Sequence, residues 1–132
     1  MAEARRFLAL FDLHWGYTRR PGRHLGPLHD LKALKVALAF ARDWKPDVVI
    51  LGGDMLDCGV ISHWRENKHR QVEGLRLRKE ADGCLADLIV PACVTVAKGA
   101  TLVYHIGNHE QWLEDYVDAN PEMEGLVDLE NL

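Results

Sequence analysis

The apolar residues fall into three short runs that predict buried β-strands. They cover residues 6–11, 48–51 and 101–106, and the middle run, Val-Val-Ile-Leu, is typical of a strand covered on both faces. Segments with a helical pattern separate these strands. Consecutive strands joined through a helix usually form right-handed crossovers in a parallel sheet. The predicted fold class is therefore α/β, with helices flanking a parallel sheet.

The helices are predicted from apolar residues that recur at helical spacing. They cover residues 30–44, 66–89 and 110–117. Residues 13–27 contain several glycines and prolines, which predicts a loop between the first strand and the first helix. Residues 121–132 give only a weak, acidic helical pattern.

Length and composition limit the class of protein. A chain of 132 residues has room for one domain with one core. Its uncharged apolar runs are all far shorter than the ~18 residues of a membrane helix, so no membrane partner is predicted. The three cysteines are an odd number without a Cys-x-x-Cys pair. This pattern favours the reducing cytoplasm over a disulfide-bonded secreted protein.

The charge is unevenly distributed along the chain. A net charge of −4 disfavours a protein that coats DNA without regard to sequence. Two basic stretches, residues 5–23 and 65–79, could nevertheless face a phosphorylated substrate. The alternative is that both stretches are solvated surfaces of loops and helices.

Side chains of the types that bind metals follow each predicted strand directly. In chain order they are Asp12, His14, Asp54, Asp57, Asn108 and His109. Function in parallel sheets gathers beyond the carboxyl ends of the strands, so we expect these three junctions to lie side by side. Carboxylates, an amide oxygen and imidazoles together suit a divalent ion of borderline hardness.

These junctions resemble the motifs of the calcineurin-like metallophosphoesterase superfamily. The family pattern is D-x-H, then G-D-x-x-D, then G-N-H-[DE], and all three motifs occur here in that order. The chain looks closest to the phage and bacterial branch, in which the second motif runs on into a Ser-Arg-aromatic stretch. The corresponding residues here are Ser62, His63 and Trp64.

The resemblance implies a role for each motif residue. Asp12 and His14 would hold a first metal ion, Asp54 would bridge two ions, and Asn108 would hold the second through its side-chain oxygen. His109 would protonate the leaving group instead of binding metal. Neutral imidazole has two tautomers, and the resemblance implies that Asp57 sets that of His109 by a hydrogen bond.

Three residues near the motifs have two interpretations each. Trp15 follows a predicted ligand and is expected either to line the substrate pocket or to pack in the core. His63 is expected to contact substrate or to lie solvated on the surface. Glu110 is expected to orient main-chain groups or to begin the following helix, where a carboxylate is favoured.

Two features depart from the family pattern. Cys58 stands where the superfamily's protein phosphatases have Arg, so phosphoprotein specificity is not expected. The further histidine segments of the superfamily do not follow His109. The resemblance therefore implies that residues 1–132 are one truncated domain, the front half of a four-layer α/β/β/α sandwich. Alone, this chain is expected to be inactive, and self-association or the missing half is expected to cover its sheet.

The predicted function is hydrolysis of a phosphomonoester or phosphodiester by water activated between two divalent ions. Manganese is the expected ion, and iron, zinc and nickel accept the same ligands. Residues 12–16 also resemble the D-x-H-x-G start of the superfamily's DNA-repair exonucleases, so a nuclease acting on nucleic acid is one alternative. A non-catalytic metal-binding interaction module is the other.

Overall fold

The fold contains five short strands in the residues that the structure describes. The computed structural model describes residues 5–19, 25–93 and 99–126. The strands are β1 (Phe7–Leu10), β2 (Tyr17–Arg19), β3 (Leu25–Pro27), β4 (Val48–Leu51) and β5 (Thr101–Tyr104).

A parallel sheet of three strands lies at the centre, in the order β1-β4-β5. Leu8 pairs with Val49, which pairs with Leu102 on the other side. Each crossover passes through helical structure, as expected when parallel strands are neighbours. The predicted α/β class with a parallel sheet is therefore confirmed, and all three predicted strands form.

The helices of the described residues are α1 (Leu31–Trp44), α2 (His69–Val72), α3 (Leu77–Cys84) and α4 (Asn108–Ala119). A π-helical segment, Leu85–Ile89, continues α3, and 3-10 turns occupy His63–Arg65 and Pro121–Met123. None of the described helices is long and apolar enough to cross a membrane.

Local sequence explains where α1 begins and ends. The side chain of Asp30 accepts hydrogen bonds from the main-chain N–H groups of Lys32 and Ala33, both at 3.0 Å, and so caps the first turn. At the other end Lys45 adopts a left-handed conformation with φ of 53°. The apolar stripe of α1 packs Leu34 and Leu38 into the core beside the sheet.

Three sequence-based expectations needed correction. The predicted loop over 13–27 contains the antiparallel pair β2–β3. The predicted helix over 66–89 is interrupted between α2 and α3, where Gly74 has φ of 81°. Left-handed backbone breaks the helical hydrogen bonding, and glycine adopts it without steric cost. The described part of the predicted helical tail over 121–132 forms a 3-10 turn at Pro121–Met123 in place of an α-helix, and residues 127–132 lie outside the described part.

Candidate metal centre at the carboxyl edge of the sheet

The loops that follow β1 and β4 run side by side and are joined through their main chains. The N–H of His14 donates to the carbonyl of Asp54 at 2.9 Å, and that of Trp15 donates to Met55 at 2.7 Å. The N–H of Asp12 donates to Gly53 at 3.2 Å. This pairing extends the contact of β1 with β4 beyond the sheet, and it fixes the first motif against the second.

The loop after β5 approaches the same point because Gly107 has no side chain. A Cβ atom at Gly107 would overlap both the main-chain nitrogen and the carboxylate of Asp54. The carboxylate oxygen Oδ1 of Asp54 accepts a hydrogen bond of 2.8 Å from the N–H of His109 in the first turn of α4. Unpaired N–H groups at a helix start favour a carboxylate, so the third motif holds Asp54 in place.

His14, Asp54 and His109 form a group that could hold a metal ion. One ligand atom from each lies within 4.8 Å of the others, and all three residues are half-buried. The two imidazole rings meet edge to face with their centroids 4.4 Å apart. Each residue comes from a different strand end, so the three predicted junctions do meet at one edge of the sheet.

The two other predicted ligands are both exposed. Asp12 is exposed and is not one of its three members. Asn108 is exposed at the first position of α4, directly before His109. Of the four predicted ligands, the structure thus brings together His14 and Asp54. It adds His109, which was predicted to act as an acid.

Asp57 contacts His109 through its main chain. The Nδ1 atom of His109 lies 2.7 Å from the carbonyl oxygen of Asp57, whereas the Asp57 carboxylate is 3.9 Å away. A carbonyl only accepts, so Nδ1 carries the proton in neutral His109 and Nε2 has a free lone pair. The buried carboxylate also lies 3.7 Å from Nδ1 of His14 and 3.4 Å from Nη2 of Arg65.

Glu110 organises the main chain around the site. Its side chain is fully buried and accepts hydrogen bonds from five donors. These are the main-chain N–H groups of Asp54, Met55, Leu56 and Gly107, and the hydroxyl of Tyr104. The expectation that Glu110 orients main-chain groups is confirmed. No sequence pattern indicated that its side chain contacts the loop after β4, the end of β5 and the loop after β5.

Backbone strain is concentrated at this edge. Five described residues other than glycine have positive φ, and four of them lie in the first two motif loops, at Asp12, His14, Asp54 and Cys58. Their φ values lie between 45° and 54°. Such conformations cost on the order of 1–3 kcal/mol each and persist only where the surroundings impose them. Their clustering here supports a functional role for these loops.

Of the two interpretations of Trp15, the structure confirms packing in the core. Its side chain is buried and stacks on His29 with a centroid distance of 4.3 Å. A Cβ atom at Gly83 would overlap its ring, so α3 packs directly against the indole. The ring is therefore shielded from any ligand at the sheet edge.

The nearby thiols are not suited to nucleophilic chemistry. Burial raises the pKa of Cys58 far above its usual range, and the neighbouring carboxylates of Glu80, Glu110 and Asp57 raise it further. Burial likewise raises the pKa of Cys84 to about 12. Because the thiolate is the nucleophile, both cysteines act as small apolar core residues.

A pocket of about 260 Å³ opens beside His109. Its walls include Trp64, Arg65, Asn108 and Trp112. Sequence reasoning did not single out Trp64, Arg65 or Trp112 as site residues. The available signal was the aromatic-basic pair at 64–65, a few residues after the second motif. His63 is exposed and touches this wall, 4.6 Å from the ring of Trp64 and 5.8 Å from that of Trp112.

Comparisons of the chain with protein-family models, with curated proteins and with solved structures found no significant match.

Proposed function

We propose that this chain carries the metal-binding part of a metal-dependent phosphoesterase. The observation that supports this most strongly is the meeting of His14, Asp54 and His109 at the carboxyl edge of a parallel sheet. The motif resemblance described above supplies the reaction class, hydrolysis of a phosphomonoester or phosphodiester.

The chemistry of the donors fits a divalent ion. Carboxylate and imidazole ligands such as Asp54 and His14 suit manganese, iron, zinc or nickel, and manganese is the ion we expect. We extend the proposal to two ions in the active protein, with Asp12 and Asn108 as the additional ligands and Asp54 shared. Asp12 and Asn108 are both exposed, which is compatible with this extension.

The reaction follows from the groups at this edge. Divalent ions bound here would lower the pKa of a water molecule and stabilise negative charge on the phosphoryl oxygens. The leaving oxygen needs a proton, and in this proposal His109 would deliver it from Nε2 in its imidazolium form, which leaves the neutral ring with its proton on Nδ1. The Asp57 carbonyl supports this role because it accepts from Nδ1–H in both forms, so it orients the ring and leaves Nε2 as the atom that gives up the proton.

Asp54→Asn tests the proposal. The change is nearly isosteric, but it removes the negative charge of the carboxylate that the two proposed ions would share. We expect manganese binding by the 132-residue chain to weaken at least tenfold in equilibrium dialysis, since a charge-assisted contact is lost. In the complete gene product, hydrolysis of bis(4-nitrophenyl) phosphate with added manganese should fall below about a tenth of its wild-type rate.

Asp118→Asn, a change at an exposed carboxylate of α4, is the matched control and should leave both measurements unchanged. Equal manganese binding by the Asp54→Asn and wild-type chains would contradict the proposed centre. Manganese binding that depends on Asp54, without hydrolysis by the complete gene product, would identify a non-catalytic metal-binding module instead.

The finer architecture is also a proposal. One face of the sheet, formed by Leu8, Val49 and Leu102 with their neighbours, belongs to the core. The opposite face carries Phe7, Ala9, Val48, Ile50 and Val103, and these residues lie outside the core cluster of the described chain. An apolar face of this kind is consistent with one half of a four-layer α/β/β/α sandwich, in which a second sheet packs against it.

A further inference from the structure

We propose that the pocket beside His109 binds the nucleobase of a phosphate ester, with Arg65 contacting the phosphoryl group. The inference deepens the proposed function, on which it rests for the reacting phosphate. It names a nucleotide unit as the substrate class and assigns Trp64, Arg65 and Trp112 to the substrate.

Arg65 supplies a positive charge that is largely withdrawn from water. Its side chain is 20% exposed, and its Nη2 atom lies 3.4 Å from the Asp57 carboxylate. Nη1 is buried and has no hydrogen-bond partner in the described part of the chain. A guanidinium presents five donors in a planar fork that suits phosphate oxygens. The ion pair with Asp57 occupies one side of the guanidinium, and the Arg65 side chain also lines the pocket.

The guanidinium is also held in position. A Cβ atom at Gly59 would overlap Nη1, so the side chain lies directly over that glycine. Asp57, its ion-pair partner, is 7% exposed and lies within 4 Å of both site imidazoles. Arg65 is thus connected through one buried carboxylate to His14 and His109, and it lines the same pocket as His109. A phosphoryl group at the sheet edge would lie between them.

Aromatic rings continue from the metal group to the outer wall of the pocket. The ring of His109 lies 4.0 Å from that of Trp112, which meets His63 at 5.8 Å, and His63 lies 4.6 Å from Trp64. Trp64 is 68% exposed, although most large aromatic residues of folded proteins are well buried. Planar bases stack on such rings without a requirement for a particular base.

Charge and size together favour one nucleotide unit. A cation beside aromatic rings matches a ligand that combines a phosphate with a planar base. The volume of about 260 Å³ is slightly below the ~300 Å³ at which pockets for drug-sized ligands begin, so a longer segment would extend into solvent. Asp57 forms an ion pair with Arg65 at this wall, and the pairing of its negative charge reduces repulsion of the phosphate.

The simpler alternative is that Arg65 only neutralises Asp57 and that Trp64 has no ligand. Binding measurements separate the two. Adenosine 5′-monophosphate (AMP) carries both base and phosphate, whereas ribose 5-phosphate lacks the base and adenosine lacks the phosphate. Titration calorimetry of the 132-residue chain in EDTA measures their affinities without a metal contribution. A 5′-phosphorylated single-stranded pentanucleotide then distinguishes a free nucleotide from the end of a nucleic acid strand.

We expect AMP to bind about tenfold more tightly than ribose 5-phosphate, because one base stacked on an aromatic ring contributes roughly this factor or more. Trp64→Ala should remove that advantage and leave ribose 5-phosphate affinity unchanged. Trp44→Ala is the matched control, since Trp44 stacks on Phe40 in α1, and it should have no effect. Arg65→Gln and Arg65→Lys should weaken AMP and ribose 5-phosphate alike, but not adenosine.

Equal affinity for AMP and ribose 5-phosphate would overturn the proposal, as would an AMP preference that survives Trp64→Ala. If both Arg65 variants bind AMP and ribose 5-phosphate as tightly as wild type does, Arg65 pairs with Asp57 but does not contact the phosphoryl group. The outcome is independent of hydrolysis. If the complete gene product hydrolyses phosphate esters but the chain does not prefer AMP, only the proposal for this pocket is contradicted. If AMP binds in a Trp64-dependent way but no hydrolysis is found, only the proposed phosphoesterase activity is contradicted.

Discussion

The carboxylate of Glu110 joins two of the three loops that form the candidate site. Its Oε1 atom accepts from Met55, Leu56 and the Tyr104 hydroxyl, while Oε2 accepts from Asp54 and Gly107. A buried carboxylate with this many partners keeps its charge satisfied without water. The position of Asp54 therefore depends on a residue that is not itself among the candidate ligands.

Glu110→Gln should destabilise the fold and disturb the site together. The amide nitrogen of Gln cannot accept, so about two buried N–H donors lose their partner. Each loss costs ~1–3 kcal/mol, so we expect the free energy of unfolding to fall by at least ~2 kcal/mol in urea denaturation. Manganese affinity should fall as well. Glu122→Gln, at an exposed position, is the control; equal stability of the two variants would show that the Glu110 network contributes little.

His109 has two candidate roles that one variant separates. If Nε2 protonates the leaving group, His109→Ala in the complete gene product should slow hydrolysis of an alkyl phosphate ester by roughly 10²–10⁴-fold, in the usual range for general acid catalysis. A nitrophenyl ester, whose leaving group hardly needs a proton, should lose much less. Metal content should be nearly unchanged. Loss of metal would make His109 a ligand, as its distance to His14 and Asp54 also allows. Equal losses on both esters with metal retained would make it a structural residue.

At the scale of elements, α3 places a second carboxylate near the site. Glu80 is fully buried, and neither of its carboxylate oxygens has a hydrogen-bond partner in the described part of the chain. Burial raises its pKa to about 7, and the charge of Asp57 contributes in the same direction. Main-chain groups of Tyr17 and Cys58 lower the pKa, as does Arg65, but their contacts fall short of hydrogen-bond geometry.

The raised pKa predicts a loss of stability as pH increases. Between the ordinary value of 4.5 and about 7, the folded chain keeps a proton on Glu80 that the unfolded chain has lost. Stability from this group is therefore complete below about pH 4.5 and is lost as pH rises through about 7. The loss is on the order of 3 kcal/mol.

Urea denaturation of wild type and Glu80→Gln at about pH 5 and about pH 8 measures this contribution. The amide of the variant is neutral at both values, so the variant should lose less stability than wild type as pH rises. Glu66→Gln, at an exposed position, should follow wild type. The same pH dependence in wild type and Glu80→Gln would show that Glu80 is ionised in the folded protein throughout.

At the scale of the whole molecule, the two faces of the sheet differ. Helices and loops cover the face that carries Val49 and Leu51, and these residues are almost fully buried. On the other face Phe7 is 55% exposed, and Ile50 of the central strand is only half-buried. Contiguous apolar surface of this kind is a common contact surface between proteins.

We expect the 132-residue chain to self-associate through this face. Light scattering of the purified chain should give a mass above 14.9 kDa that increases with concentration. Phe7→Glu should shift the mass towards that of the monomer, because a charge on the apolar face opposes its burial. Val36→Glu introduces the same charge at an exposed apolar position of α1 and should not change association. A monomeric wild-type chain, or equal effects of the two variants, would contradict the prediction.

The sequence determined the parts of this protein that depend on local patterns. Aliphatic runs predicted three strands, and the apolar spacing from 30 to 44 predicted α1 nearly to its end residues, because Asp30 and Lys45 also act locally. Strand order placed the three motif loops at one edge. This followed from the carboxyl ends of neighbouring parallel strands meeting there.

Only the tertiary structure decided which side chains meet. No local pattern predicts the hydrogen bonds that Glu110 accepts from residues more than fifty positions earlier. The same is true of the contact of His109 with the carbonyl of Asp57 and of the burial of Trp15 against Gly83. Arg65 reached the site for the same reason, through a short turn after the second motif. The distances between residues far apart in the chain arise from packing of the whole molecule, and the order of residue types does not encode them separately.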